Sequence, residues 1–159
     1  MKMAEHGNPV NLTLDDLSPG QIFHSVSHQL DAAQIKAFAK EFDPQPFHLD
    51  DQAAEKTIFG GLAASGWLTA ALTMRLMVAS VPIKGGVVGA EVEIKWPKPT
   101  RPGDTLHVES EVLEVVPSQT RPDRGMVTVR SITINQEGHA VQILISKLVV
   151  PKRKKEDHV

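Results

Sequence analysis

The chain has 159 residues, 41% of them hydrophobic, and a formal net charge of −2. That length fits one domain able to bury roughly two thirds of the surface its unfolded chain exposes. The charge and apolar content exclude a general nucleic-acid surface and bulk disorder, and the lack of cysteine excludes disulfides and thiolate chemistry and fits a reducing, cytoplasmic setting.

Residues 1–11 carry no apolar h-region and read as an N-terminal extension, neither signal peptide nor anchor. A strand is expected over 21–27. Asp31-Ala32-Ala33-Gln34 has the form of a capping box, and Ile35, Phe38, Ala39 and Phe42 recur at helical spacing, which predicts a helix over 32–42 that Pro44 ends. Residues 50–55 form one more helical turn. A long helix is then expected over 59–79, apolar on nearly every face and therefore wrapped by other structure. Ser65, Thr69, Thr73, Arg75 and Ser80 interrupt the apolar run 62–81, a pattern of a buried helix rather than a membrane span. Arg75 must snorkel or find an anionic partner.

The rest reads as β. Val88, Ala90, Val92, Ile94 and Trp96 alternate with Gly89, Glu91, Glu93 and Lys95, which predicts a strand with one buried face. Similar runs cover 105–116, 126–134 and 140–150, separated by turn residues such as Arg101-Pro102-Gly103-Asp104 and Asn135-Gln136-Glu137-Gly138. About five strands and one all-round apolar helix predict an α+β fold, a curved antiparallel sheet wrapped around the helix. One domain over 12–150 results, with a solvated basic tail over 151–159 that includes Lys152-Arg153-Lys154-Lys155.

The chemistry concentrates in Asp43-Pro44-Gln45-Pro46-Phe47-His48, a carboxylate, an amide and an imidazole on a proline-stiffened segment expected to be neither helix nor central strand. An Asp and a His that converge on one water can add it to, or remove it from, a polarised double bond. Fully extended, the two residues would stand about 17 Å apart, so the segment must fold back. Phe59-Gly60-Gly61-Leu62-Ala63-Ala64-Ser65-Gly66-Trp67 starts the apolar helix, where free N–H groups can hold an oxyanion. Ser65 lacks a His at nucleophile spacing and reads as a helix-start donor. His24 with His28, and His48 with Asp50 and Asp51, are weaker metal-ligand patterns, and no metal is expected.

These residues resemble the MaoC-like dehydratases, which include the R-specific enoyl-CoA hydratases. The resemblance rests on Asp43-x-Gln45-Pro46-Phe47-His48, Ala54, Phe59-Gly60, Ser65-Gly66-Trp67, and Trp96-Pro97-Lys98-Pro99-x-Arg101-Pro102-Gly103-Asp104, with Asn135-Gln136-Glu137-Gly138 later. The family commonly has Gly where Phe42 stands and Asn where Gln45 stands. The resemblance implies a hot-dog fold and a homodimer or higher homo-oligomer with an acyl-CoA tunnel near the subunit interface. It also implies a catalytic Asp43 and His48, and a Gly66 N–H that receives the thioester oxygen. Ser65, Gln45 and Trp67 would complete the substrate site, with Trp67 either walling the tunnel or packed in the core. The expected function is hydration of a 2-enoyl thioester, with CoA as part of the substrate, no other cofactor, and no nucleic-acid or membrane partner. A hot-dog thioesterase and a non-catalytic acyl-CoA binding module are the rival readings.

Overall fold

The structure, a computed structural model, describes residues 11–154. Six strands form one antiparallel sheet: β1 (Ile22–His24), β2 (His28–Gln29), β3 (Val88–Lys95), β4 (Thr105–Pro117), β5 (Arg124–Ile134) and β6 (Ala140–Pro151). The order is β1-β4-β5-β6-β3, with β2 also paired to β4. The helices are α1 (Ala32–Phe42), α2 (Pro46–Leu49), α3 (Asp51–Glu55) and α4 (Gly66–Ser80). The strand expected over 21–27 is confined to the three residues of β1, and β2 lies just beyond that range. The first ten residues, nearly all of the expected extension, lie outside the described part, as does the end of the tail.

α1 starts and stops where its sequence requires. The Asp31 carboxylate accepts from the Gln34 N–H at 2.8 Å, but the Gln34 side chain meets His28 Nε2 at 3.2 Å instead of returning to the cap. The box is therefore half formed. Asp50 caps α3 by accepting from Ala53 N–H at 2.7 Å.

Strands β4, β5 and β6 alternate buried and partly exposed residues as expected and turn their buried faces to α4. Met77, Val81, Val112, Val127, Leu148 and Val150 form one apolar cluster, and Leu30, Ile35, Leu62, Leu68, Leu72 and Leu106 another. Each fully buried side chain there contributes about 1.5–3 kcal/mol. Along α4, Thr73 falls between the two groups and joins a polar set on the sheet that includes Thr133 and Gln142.

Four expectations are corrected. The long helix begins at Gly66, not near 59, because Gly60 takes a positive φ of 63° and Ser65 caps the helix. Within one chain α4 is not wrapped all round: Trp67, Met74, Arg75 and Val78 are exposed, and Arg75 simply lies on this outer side. β3 has no buried face, since seven of its eight residues are exposed and it forms the sheet edge, bulged between Gly89 and Glu91. The start of the basic run is held to the body rather than solvated, with Lys152 N–H donating to Asp123 O and Arg153 N–H to Asp15 Oδ2, both at 2.8 Å. Among the described residues no helix is long and apolar enough to cross a membrane.

Candidate active site

Asp43 closes α1, its N–H donating to Ala39 O. The chain then turns tightly about Pro44, with Gln45 N–H to Asp43 O at 2.7 Å. Pro46 does not exclude helix here. It takes the first position of α2, where its missing N–H would have had no partner and its fixed φ suits the turn. His48 therefore sits on a helical turn, a correction to the irregular segment expected from two prolines. The turn reverses the chain enough to bring His48 Nε2 within 3.3 Å of Asp43 Oδ2.

The hydrogen bonds assign the ring proton. His48 Nδ1 lies 2.7 Å from the Ala63 carbonyl oxygen, and a carbonyl only accepts, so Nδ1 carries the proton. In the neutral ring Nε2 then presents a lone pair toward the Asp43 carboxylate. Such a pair is satisfied by a water that donates one proton to each, or by a protonated ring.

Asp43 has further partners. Ser65 Oγ donates to Oδ2 at 2.7 Å and Gln45 Nε2 to Oδ1 at 2.6 Å. Burial pushes the Asp43 carboxyl up, but the Ser65 and Gln45 hydrogen bonds, helped by the His48 charge when the ring is protonated, hold it below its ordinary value of 3.8. Asp43 is thus an ionised, oriented acceptor. Ser65 also accepts from Trp67 N–H at 3.2 Å, which joins the carboxylate to the start of α4.

Asp43, Gln45, His48, Gly66 and Trp67 line one cavity of about 390 Å³. Ser65, fully buried, supports it from behind. Among the described residues no acceptor meets the Gly66 N–H, which lies at the positive end of the α4 dipole. Trp67 is 60% exposed and packs edge-on against Trp96 with centroids 5.6 Å apart, so it is a wall residue and not core.

Four side chains at the site had no role assigned from the sequence. Trp96, read as a strand residue and as part of the resemblance motif but given no role, covers Gly66. Arg101, read as a turn residue and as part of the resemblance motif but given no role, donates to the carbonyls of Phe59, Gly61 and Leu62 and so holds the segment of backbone that leads to Ala63. Phe47 and Phe59 pack at a tilt with centroids 5.0 Å apart, and Phe47 meets the imidazole edge-on at 4.5 Å. All four lie in the stretches 43–48, 59–67 and 96–104 that were singled out, but side-chain targets are tertiary facts. Asp50 and Asp51 do not join His48: one caps α3 and the other pairs with Lys36 at 2.5 Å. His24 instead stands 3.7 Å from Glu109.

The family model described as "MaoC like domain" matches residues 16–136. The chain belongs to the MaoC-like family. A MaoC-like dehydratase from Rhodospirillum rubrum, known as a crystal structure, is 57% identical with a TM-score of 0.89, covering 91% of this chain and 100% of that one. The R-hydratase PhaJ1 from Pseudomonas aeruginosa is 28% identical with a TM-score of 0.72, covering 90% and 88% of the two chains. A 3-hydroxybutyryl-CoA dehydratase from Methylorubrum extorquens is 26% identical over 147 residues, 92% of this chain and 88% of that protein. The α+β architecture is that of the hot-dog MaoC-like dehydratases, and hydratase or dehydratase chemistry is the family's activity.

Proposed function

We propose that this MaoC-like protein is a hydro-lyase that reversibly adds water to a 2-enoyl thioester, an enoyl-CoA. The observation that carries the reading is the pairing of Asp43 and His48 at 3.3 Å in one cavity with the Gly66 N–H. A water held by the Asp43 carboxylate and His48 Nε2 keeps a lone pair free for attack. Its oxygen bonds the β-carbon while its proton passes to Asp43. The alkene electrons move to the thioester oxygen, which the Gly66 N–H and the α4 dipole stabilise as an enolate. Collapse of the enolate takes a proton at the α-carbon from the Asp43–His48 pair, which returns both groups to their starting states. Gln45 and Ser65 orient the carboxylate, Trp67 walls the acyl group, and CoA enters as part of the substrate.

The working form is proposed to be a homodimer. β3 leaves an unpaired edge, and Val88 and Val92 on it, with Met74 and Val78 of α4, are exposed apolar residues that a second copy would cover. Of the rival readings, a thioesterase would be expected to carry an acid on the central helix, and α4 has none. A binding module remains distinguishable by turnover alone. Crotonyl-CoA in an absorbance assay at the enoyl-thioester band separates the three: loss of the band with the thioester intact marks a hydratase, release of free CoA a thioesterase, and binding with no change a module.

A further inference from the structure

Gly66 opens α4 without a side chain, and a Cβ built on it would stand 2.7 Å from Trp96 Cε2 and 2.8 Å from Cζ2. The indole therefore packs directly on the backbone that carries the free N–H. It is also locked. Trp96 Nε1 donates to Gln142 Oε1 at 2.9 Å, and Gln142 Nε2 donates to Thr73 Oγ1 at 2.9 Å. Thr73 Oγ1 in turn donates to Thr69 O at 2.8 Å and lies 2.5 Å from Thr133 Oγ1. Gln142, Thr73 and Thr133 are fully buried. The relay thus leaves Trp96, crosses β6, and ends on the helix whose first residue is Gly66.

We propose that Trp96 is a positioning residue of this site, fixing the Gly66 N–H in its direction and keeping bulk water from it. The proposal rests on the reading that this N–H receives the thioester oxygen. A donor held in a fixed direction stabilises developing charge far better than one that wobbles. With Nε1 turned to Gln142, the indole gives the cavity a wall of ring carbon and no competing donor. The same contact leaves no room for a Cβ at position 66 while the Trp96 ring stays in place.

The test uses the whole chain, with kcat and KM measured separately on crotonyl-CoA and a thermal melt for each variant. Trp96→Ala is expected to lower kcat about tenfold or more, with KM little changed. Both limbs of the pH profile should stay in place, because Asp43 and His48 keep their partners. Trp96→Phe restores a ring over Gly66 and recovers part of the loss, and Gln142→Met lowers kcat in the same direction by freeing the indole. Gly66→Ala is expected to lower the melting temperature, and adding Trp96→Ala to recover it. If Trp96→Ala fails to fold, Trp96→Phe and Gln142→Met carry the comparison. Parental kcat in all folded Trp96 and Gln142 variants, or a change confined to KM, overturns this inference alone. A parent inactive on every enoyl-CoA overturns the hydratase reading and this inference with it.

Discussion

His48 Nδ1 lies 2.7 Å from the carbonyl oxygen of Ala63, and this contact leaves Nε2 as the ring atom that faces Asp43. The imidazole reaches its orientation because Ala63 N–H also donates to Phe47 O at 3.1 Å, which ties the two segments together. Replacing His48 thus has two consequences. His48→Ala is expected to lower kcat by at least about 10²-fold and, by leaving the buried Ala63 carbonyl unpaired, to cost roughly 1–3 kcal/mol of stability. Steady-state kinetics and a denaturant titration check the two parts separately.

The lowered Asp43 pKa gives a pH prediction with a definite sign. The folded state favours the ionised carboxylate, so its contribution to stability is present above the ordinary value of 3.8 and is lost as pH falls through the lower folded value. Removing the Ser65 donor leaves burial less opposed. Ser65→Ala should therefore raise the Asp43 pKa and move the acid limb of kcat/KM to higher pH. A pH–rate profile in which the acid limb stays put or moves lower would contradict the role given to that hydrogen bond.

Gln45 Nε2 reaches Asp43 Oδ1 at 2.6 Å from an exposed position at the mouth of the cavity. Gln45→Asn keeps the donor one methylene shorter and is expected to retain or improve activity. Gln45→Ala removes it and should lower kcat/KM about tenfold, the low end for a charge-assisted hydrogen bond because Gln45 is exposed. A severe loss in Gln45→Asn would instead assign the longer amide its own role in substrate selection.

Trp67 stands at the exposed start of α4 against Trp96, so its truncation opens the cavity without leaving a hole in the core. Trp67→Ala is expected to shift the chain-length profile toward longer or branched acyl groups. The loss of stability should be much smaller than the roughly 3–5 kcal/mol of a core Trp deletion. Kinetics on crotonyl-CoA and longer analogues, with a melt on the same preparation, check both halves.

The homodimer has its own test. Val92 is 54% exposed on the edge strand β3, and Val92→Lys places a charge where a second copy is proposed to pair. Light scattering at micromolar concentration should show a dimer for the parent and a weakened one for the variant. A parent that is monomeric throughout would contradict the assembly.

What could be read in the sequence follows from the range of the forces involved. α1 was legible to the residue because an Asp cap, a helical apolar period and a following proline all act locally. The inward residues of β4, β5 and β6 were legible because alternation reports a one-sided environment. β3 misled for the same reason: its pattern is identical whether its own chain or a partner covers the face. At α2 the rule that proline breaks helices competed with the rule that proline opens them, and the second won. Asp43, Gln45, His48, Ser65, Gly66 and Trp67 were all nominated from sequence, and the fold brings them to one place. The roles of Trp96 and Arg101 were not legible because their partners, Gln142 and the carbonyls near Gly61, are distant in the chain.

The central claim is that Asp43 is the base that activates water. Asp43→Asn keeps the volume and removes the carboxylate, so the most direct measurement is the hydration rate of crotonyl-CoA by the parent and by this variant under identical conditions. The account predicts that the parent consumes the enoyl band, and that the folded variant does so at least about 10²-fold more slowly in kcat. A variant that hydrates at the parental rate, or a parent that leaves every enoyl-CoA unchanged, would contradict it.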